Sequence, residues 1–226
     1  PAAHGQVQTA RLWRRQPEDT QRSCARVSAA WRIGSSWPVR DVLGIDRRGR
    51  LAQSEDMPNL ILIRHAKAVR DHEAPTDKAR GLTDRGRNHA AALGQRLVDL
   101  RLEPDLALVS TAERTRQTWA EVRGAFTAPC ATAFVEGLYL AEADRIWAEA
   151  LAAMTTAETV AIVGHNPGLH ELCIPLIGPG STSPEGRHLR DHLPTAGLAA
   201  FSVTPAPWPP APARLLAAWY PELLRG

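Results

Sequence analysis

Cysteine is scarce: the 226 residues hold only Cys24, Cys130 and Cys173. Three scattered thiols make no disulfide framework, and an odd number argues against secretion, so a reducing, cytoplasmic setting is expected. Long apolar runs are missing. No stretch approaches the ~18 consecutive apolar residues of a membrane-spanning helix, so no membrane partner is expected. Lysine is nearly absent, with two residues against 25 arginines, which reads as GC-rich coding and not as a phosphate-binding surface. There is no Gly-rich run ending in Lys-Ser/Thr, so P-loop nucleotide chemistry is excluded. Nor is there a charged segment, apolar core and cleavage site of a signal peptide.

The rest is ordinary globular composition, 44% hydrophobic and 23% charged, enough for one good-sized domain with an extension. The formal charge of +3 is unevenly spread. Residues 1–56 carry ten Arg and six acidic residues, a net +4, which leaves −1 for the remainder. A bulk nucleic-acid partner is therefore not expected. Residues 1–56 lack a useful helical stripe and are expected to be a disordered or non-native extension. Met57 stands directly before the first clean strand, and the folded domain is expected over 57–226. Trp13, Trp31 and Trp37 among arginines would suit base stacking, but no folded platform is evident around them.

From Asn59 strands and helices alternate. Asn59-Leu60-Ile61-Leu62-Ile63 reads as a strand buried on both faces. Thr83 is a good N-cap for a helix striped by Leu93, Leu97 and Leu100. Leu106–Val109 is a second strand. Ser110 and Glu113 have capping-box spacing for a helix with Trp119 and Val122 inward. A third strand is expected near Thr132–Val135. Ile146, Trp147, Ala150, Leu151 and Met154 mark a third helix. Thr159–Val163 is a fourth, β-branched strand. Asn166 as N-cap and Pro167 at the first helical position open a helix striped by Leu169, Leu172, Cys173 and Leu176, with Pro175 kinking or ending it. Two more strands, Gly197–Val203 and Arg214–Trp219, flank a Pro-rich turn. This is an α/β pattern: a largely parallel central sheet with helices on both faces. In such sheets the site lies beyond the carboxyl ends of the strands.

Those ends carry the chemistry. The first strand ends in Arg64-His65, the second in Ser110 with Arg114 one turn on, the fourth in Gly164-His165-Asn166. Two arginines, two histidines and two helix N-termini make a cationic cup sized for one phosphoryl group. A neutral imidazole nitrogen can attack phosphorus when the other ring nitrogen is pinned as a donor. His65, tight behind a buried strand and beside Arg64, suits that role. His165 would donate to the phosphoryl oxygens. Either histidine alone reads more simply as a satisfied core or loop residue; the pair at two strand ends shifts the balance.

Leu62-Ile63-Arg64-His65-Ala66 resembles the Arg-His-Gly signature of the histidine phosphatase superfamily, with Ala66 in place of Gly. Ser110 to Thr118 resembles its S-x-x-x-R-T-x-Q-T signature. Val163-Gly164-His165-Asn166-Pro167-Gly168 resembles its second-histidine motif. Order and spacing agree from Met57 to Pro221. Only 51 positions separate Arg114 from His165, whereas phosphoglycerate-mutase-like members insert a longer lid there. That interval, Arg64–Ala68 and Pro194–Leu198 look like the compact SixA-type phosphohistidine phosphatases. The resemblance implies a phosphoglycerate-mutase-like fold without the long lid insertion. It also implies a covalent phosphohistidine intermediate and phosphoryl binding by Arg64, Arg114 and His165, with no metal and no cofactor. The implied partner is a protein bearing phosphohistidine, or a small phosphorylated substrate; a monomer is expected. Arg80, in a segment resembling D-x-x-R-P-L with Gly81 in place of Pro, is expected at the site rim. Asn166 is a further substrate-binding candidate, and Glu136 is the one plausible acid/base carboxylate.

Other readings stay open at this point. They are a small-molecule phosphomonoesterase on the same chassis, a phosphoprotein-binding module without turnover, and a nucleic-acid arm in residues 1–56. His188 and His192 have a helical i, i+4 metal spacing, and His170 and Cys173 stand at i, i+3, but neither pair has a third ligand at matching distance. Lys67 follows the nucleophile and is either a substrate contact or a solvated charge.

Overall fold

The computed structural model describes residues 57–221; the extension expected over 1–56, with Trp13, Trp31 and Trp37, lies outside the described residues. The strands are β1 (Asn59–Arg64), β2 (Leu106–Ser110), β3 (Ala131–Val135), β4 (Thr159–Gly164), β5 (Leu198–Ser202) and β6 (Arg214–Trp219). The helices are α1 (Asp84–Asp99), α2 (Glu113–Arg123), α3 (Ala143–Ala153), α4 (Gly168–Ile177) and α5 (Pro184–Asp191). None of them is long and apolar enough to cross a membrane.

The strands form one six-stranded sheet in the order β3-β2-β4-β1-β5-β6. β1 pairs with β4, β4 with β2 and β2 with β3, all in parallel. β5 is antiparallel to both its neighbours, so it alone runs against the other five. The continuous apolar runs follow from burial on both faces. Leu60 and Leu62 of β1, with Val160 and Ile162 of β4, enter one core with Trp147, Leu172, Cys173 and Leu176 from α3 and α4. Ile61, Ile63, Ala161 and Val163 enter the other, with Leu93 and Leu97 of α1 and Trp119 and Val122 of α2. Helices thus cover both faces. Trp119 and Trp147 are packing residues, and the Trp147 indole satisfies its N–H on the Ala206 carbonyl at 2.8 Å.

Thr83 caps α1 as expected, accepting from the Gly86 amide at 3.0 Å. Two helix starts differ from expectation. α2 begins after Ala112, with no side-chain cap, because the Ser110 side chain is buried and turned to another partner. α4 is capped at Pro167, one residue late, because the Asn166 amide is drawn to the Leu193 carbonyl. Pro175 sits inside the last turn of α4, which stops at Gly178, where φ is +66°. α5 is an addition, opened by Ser183 as N-cap and Pro184 at the first position. It ends before His192, whose backbone is extended (φ −163°), so His188 and His192 do not share a helical face. The His188 ring instead stacks on Tyr220, with centroids 4.2 Å apart.

Candidate active site

Register brings the two histidines together. β1 and β4 are adjacent, and Arg64 pairs with Gly164, so His65 and His165 leave neighbouring strands at the same level. Their ring centroids are 5.3 Å apart, with the planes tilted by 56°. The His65 amide donates to the Gly164 carbonyl at 3.1 Å, fixing the start of the turn. His65 Nδ1 lies 2.9 Å from the Ala66 carbonyl. A carbonyl only accepts, so Nδ1 carries the proton and Nε2 keeps its lone pair. Burial, aided by the charges of Arg114, Arg64 and Arg80, pushes the His65 pKa down to about 4 against the pull of that hydrogen bond. At neutral pH it is an uncharged nitrogen base.

His165 is buried, at 2% exposure. Its Nε2 lies 2.9 Å from Ser110 Oγ, and Tyr139 meets it edge-on with centroids 5.6 Å apart. Its Nδ1 is buried without a hydrogen-bond partner. Burial first, then His65 and Arg114, lower its pKa to about 3.

Arg64 donates from Nη1 to the Leu193 carbonyl at 2.9 Å, and its Nε is buried without a partner. Arg114, on the first turn of α2, is 3% exposed. It donates from Nη1 to the Asp77 carbonyl at 2.6 Å and from Nη2 to Asp77 Oδ2 at 2.9 Å. The Tyr139 hydroxyl donates to the same carboxylate at 2.7 Å. Arg80 adds an ion pair to Asp77 Oδ1 at 2.9 Å and donates twice to the Val69 carbonyl. The Tyr139 hydroxyl, with Arg80 and Arg114, holds the Asp77 carboxyl well below its ordinary range. Arg64, His65, Arg114 and His165 therefore converge, and Arg80 reaches the rim through Asp77. Asn166 is tied at one point: Nδ2 donates to the Leu193 carbonyl at 3.0 Å, which uses one of its two N–H groups, and Oδ1 is buried without a hydrogen-bond partner. Glu136 is exposed on the turn after β3. Lys78 Nζ donates to its two oxygens at 2.6 and 2.7 Å and Thr111 donates at 2.6 Å. Those donors lower its pKa, so it stands as a carboxylate.

Several residues that build the site carry no role in the sequence reading. Thr115 Oγ1 donates to the Ser110 carbonyl at 2.8 Å. Gln117 Oε1 accepts the Leu82 amide at 2.7 Å, pinning the Arg80 segment. Thr118 Oγ1 accepts the Ala66 amide at 2.9 Å and donates to the Arg114 carbonyl at 2.6 Å. The polar positions of the second motif are thus ties from α2 to the other site segments. Small hydroxyl residues in the buried turn of a helix were the available signal. Asp77 opens the D-x-x-R-P-L-like segment but carries no role there; Tyr139 had no signal, standing 62 positions from Asp77 and joined to it only by the fold.

Comparison with known proteins places these residues in context. The profile described as histidine phosphatase superfamily (branch 1) matches residues 60–138. The candidate phosphohistidine phosphatase SixA of Agrobacterium tumefaciens is 30% identical, with a TM-score of 0.62 over 73% of this chain and 99% of its own. The corresponding SixA candidate of Nakamurella multipartitia is 32% identical, with a TM-score of 0.62 over 73% and 96%. A Mycobacterium leprae protein, ML1117, of uncharacterised function, is 29% identical over 62% of this chain and 87% of its own.

Proposed function

The chain belongs to the histidine phosphatase superfamily, among its SixA-like members, and from this we propose that it hydrolyses phosphohistidine on signalling or phosphotransfer proteins. The observation that carries the reading is the meeting of Arg64, His65, Arg114 and His165 at three adjacent strand ends, with Arg64 Nε and His165 Nδ1 buried and unpartnered. A buried donor without a partner is costly, and a phosphoryl oxygen is the acceptor that Arg64 Nε lacks; His165 Nδ1, the ring nitrogen not engaged by Ser110, is likewise without a protein partner.

In the proposed reaction His65 Nε2 gives its lone pair to phosphorus. The bond to the substrate nitrogen breaks, and its electron pair leaves on the imidazole, which takes a proton from water. Water then attacks the phosphoryl group on His65, releasing inorganic phosphate and restoring the neutral ring. Arg64, Arg114 and His165 bear the transition-state charge, a role for fixed donors in a partly dehydrated site. A departing imidazole needs less acid assistance than an alkoxide, so Glu136 need not act as the acid; as a carboxylate at neutral pH it has no proton to give. The positive side chains supply the neutralisation, and no metal is required. The expected setting is the reducing cytoplasm, and the catalytic domain spans 57–226.

The test is a substrate panel of a phosphohistidine protein, phosphoramidate and sugar phosphates. Preference for the phosphohistidine protein supports the reading. Preference for sugar phosphates makes the protein a small-molecule phosphomonoesterase, and binding without turnover makes it a phosphoprotein-binding module.

A further inference from the structure

Resting on the reading that His165 donates to the phosphoryl group, we infer that Ser110 is a positioning residue that sets the His165 tautomer. The hydroxyl gives its hydrogen to Nε2, so the ring's one proton sits on Nδ1 and faces the phosphoryl site.

The inference follows from counting hydrogens in a closed space. Ser110 is the last residue of β2 and fully buried, and His165 follows the last residue of β4, the strand beside it. Ser110 Oγ and His165 Nε2 stand 2.9 Å apart, but the distance alone does not say which atom donates. A neutral imidazole has one N–H, and a serine hydroxyl has one O–H. If the hydroxyl donates, its hydrogen and the Nε2 lone pair are both satisfied. The single atom left wanting is Nδ1–H, an orphan donor. If instead Nε2–H donates, the hydroxyl hydrogen is left in the interior without an acceptor. The Nδ1 lone pair is orphaned as well, and it would face an anion with the wrong polarity. The first arrangement leaves one unsatisfied group, the second leaves two, and a buried unsatisfied polar group is costly. Among the described residues no other group bonds the hydroxyl: the Thr115 side chain bonds the Ser110 carbonyl, not Oγ. The ring is also held neutral by burial and by the nearby His65 and Arg114, so the third possibility, a doubly protonated ring, is disfavoured in the free protein.

The consequence is that both histidines adopt the same tautomer and use it in opposite senses. His65 spends its Nδ1–H on the Ala66 carbonyl and presents a lone pair. His165 spends its lone pair on Ser110 and presents a proton. One atom type thus supplies the nucleophile and the other the electrophilic donor, without either ring carrying charge.

The experiment is a long-range ¹⁵N–¹H correlation spectrum of the imidazole nitrogens in the ¹⁵N-histidine-labelled full chain at neutral pH, with His165 assigned by its absence in His165→Gln. The expected result is a neutral Nδ1–H ring. In Ser110→Ala that signature should shift towards the Nε2–H form, and turnover should fall about tenfold to a hundredfold, by analogy with losing the outer partner of a metal-ligating histidine. An Nε2–H or doubly protonated His165 in the unsubstituted protein overturns the inference, as does a folded Ser110→Ala variant with either readout unchanged. Should Ser110→Ala fail to fold, the unsubstituted spectrum decides alone. If the tautomer behaves as stated but no phosphoryl substrate is turned over, the phosphatase reading falls and the hydrogen-bond assignment stands.

Discussion

Thr118→Val is the sharpest test of how the site is held together. Thr118 is fully buried in α2, and its hydroxyl accepts the Ala66 amide at 2.9 Å while donating to the Arg114 carbonyl at 2.6 Å. Valine keeps the shape and the branched rotamer preference but deletes the hydroxyl. The Arg114 carbonyl retains its helical partner four residues on. The Ala66 amide, on a residue with no exposed surface, loses its acceptor. A buried donor left unsatisfied costs about 1–3 kcal/mol. For a chain of this size each kcal/mol is worth about 2–4 °C, so Tm should fall by about 2–12 °C. The effect should reach the chemistry, because the Ala66 carbonyl holds His65 Nδ1 and its peptide neighbour is the one released. Turnover measured at 25 °C, where the variant is still folded, should fall as well. Thr118→Ser is the control: it keeps the hydroxyl, loses one methyl worth about 1 kcal/mol, and should retain turnover. The assays are thermal unfolding by circular dichroism and phosphoramidate hydrolysis. A valine variant with unchanged Tm and turnover, or a serine variant as impaired as the valine one, would refute the tie.

The remaining predictions concern the chemistry and the domain. His65→Ala should abolish acid-labile labelling by phosphoramidate, whereas His165→Ala should keep the nucleophile and lose about 10²–10³ in turnover, as when an oxyanion donor is removed; label mapping to His165 would reverse the assignment. With the His65 pKa lowered to about 4, the ring loses its lone pair only in strong acid. The kcat/KM profile, corrected for substrate ionisation, should therefore hold from pH 7 to about 5 and fall through about 4, and an acid limb near 6.5 would show an ordinary imidazole. Activity should survive EDTA and yield to tungstate or vanadate; loss in EDTA restored by Mg²⁺ or Zn²⁺ would sink the side-chain-only account. A chain beginning at Met57 should fold and keep its turnover, since the apolar periodicity begins there and the three motifs all follow it, and an insoluble or inactive product would count against that boundary.

The strands were legible because burial on both faces leaves a signal no loop imitates: Leu60–Ile63 and Val160–Val163 are unbroken apolar runs, and the chemistry begins at the residue where each run stops. Side-chain choices among competing partners were less legible. Ser110 has the residue type and spacing of a helix cap, yet its hydroxyl goes to His165, a partner 55 positions away. Asn166 has the residue type and place of a helix cap, and its amide goes to Leu193. In both cases a local hydrogen bond lost to a distant one that sequence spacing does not display. α5 was missed although Ser183-Pro184 is a fair start, because eight residues with only Gly186 and Leu189 buried leave too short a stripe to read.

The shared Leu193 carbonyl has a consequence for how such a site changes over generations. Arg64 and Asn166 both hang from that one main-chain oxygen, while the Leu193 side chain is buried in the core with Trp147 and Leu172. No substitution deletes a backbone carbonyl, so the contact itself is shielded from mutation. Its position is not: the packing of an apolar side chain decides where the oxygen stands. Variation among greasy residues around position 193 is therefore transmitted to the aim of an arginine at the reacting centre. Altered activity can arise here from interior drift, with every polar residue of the site left as it was.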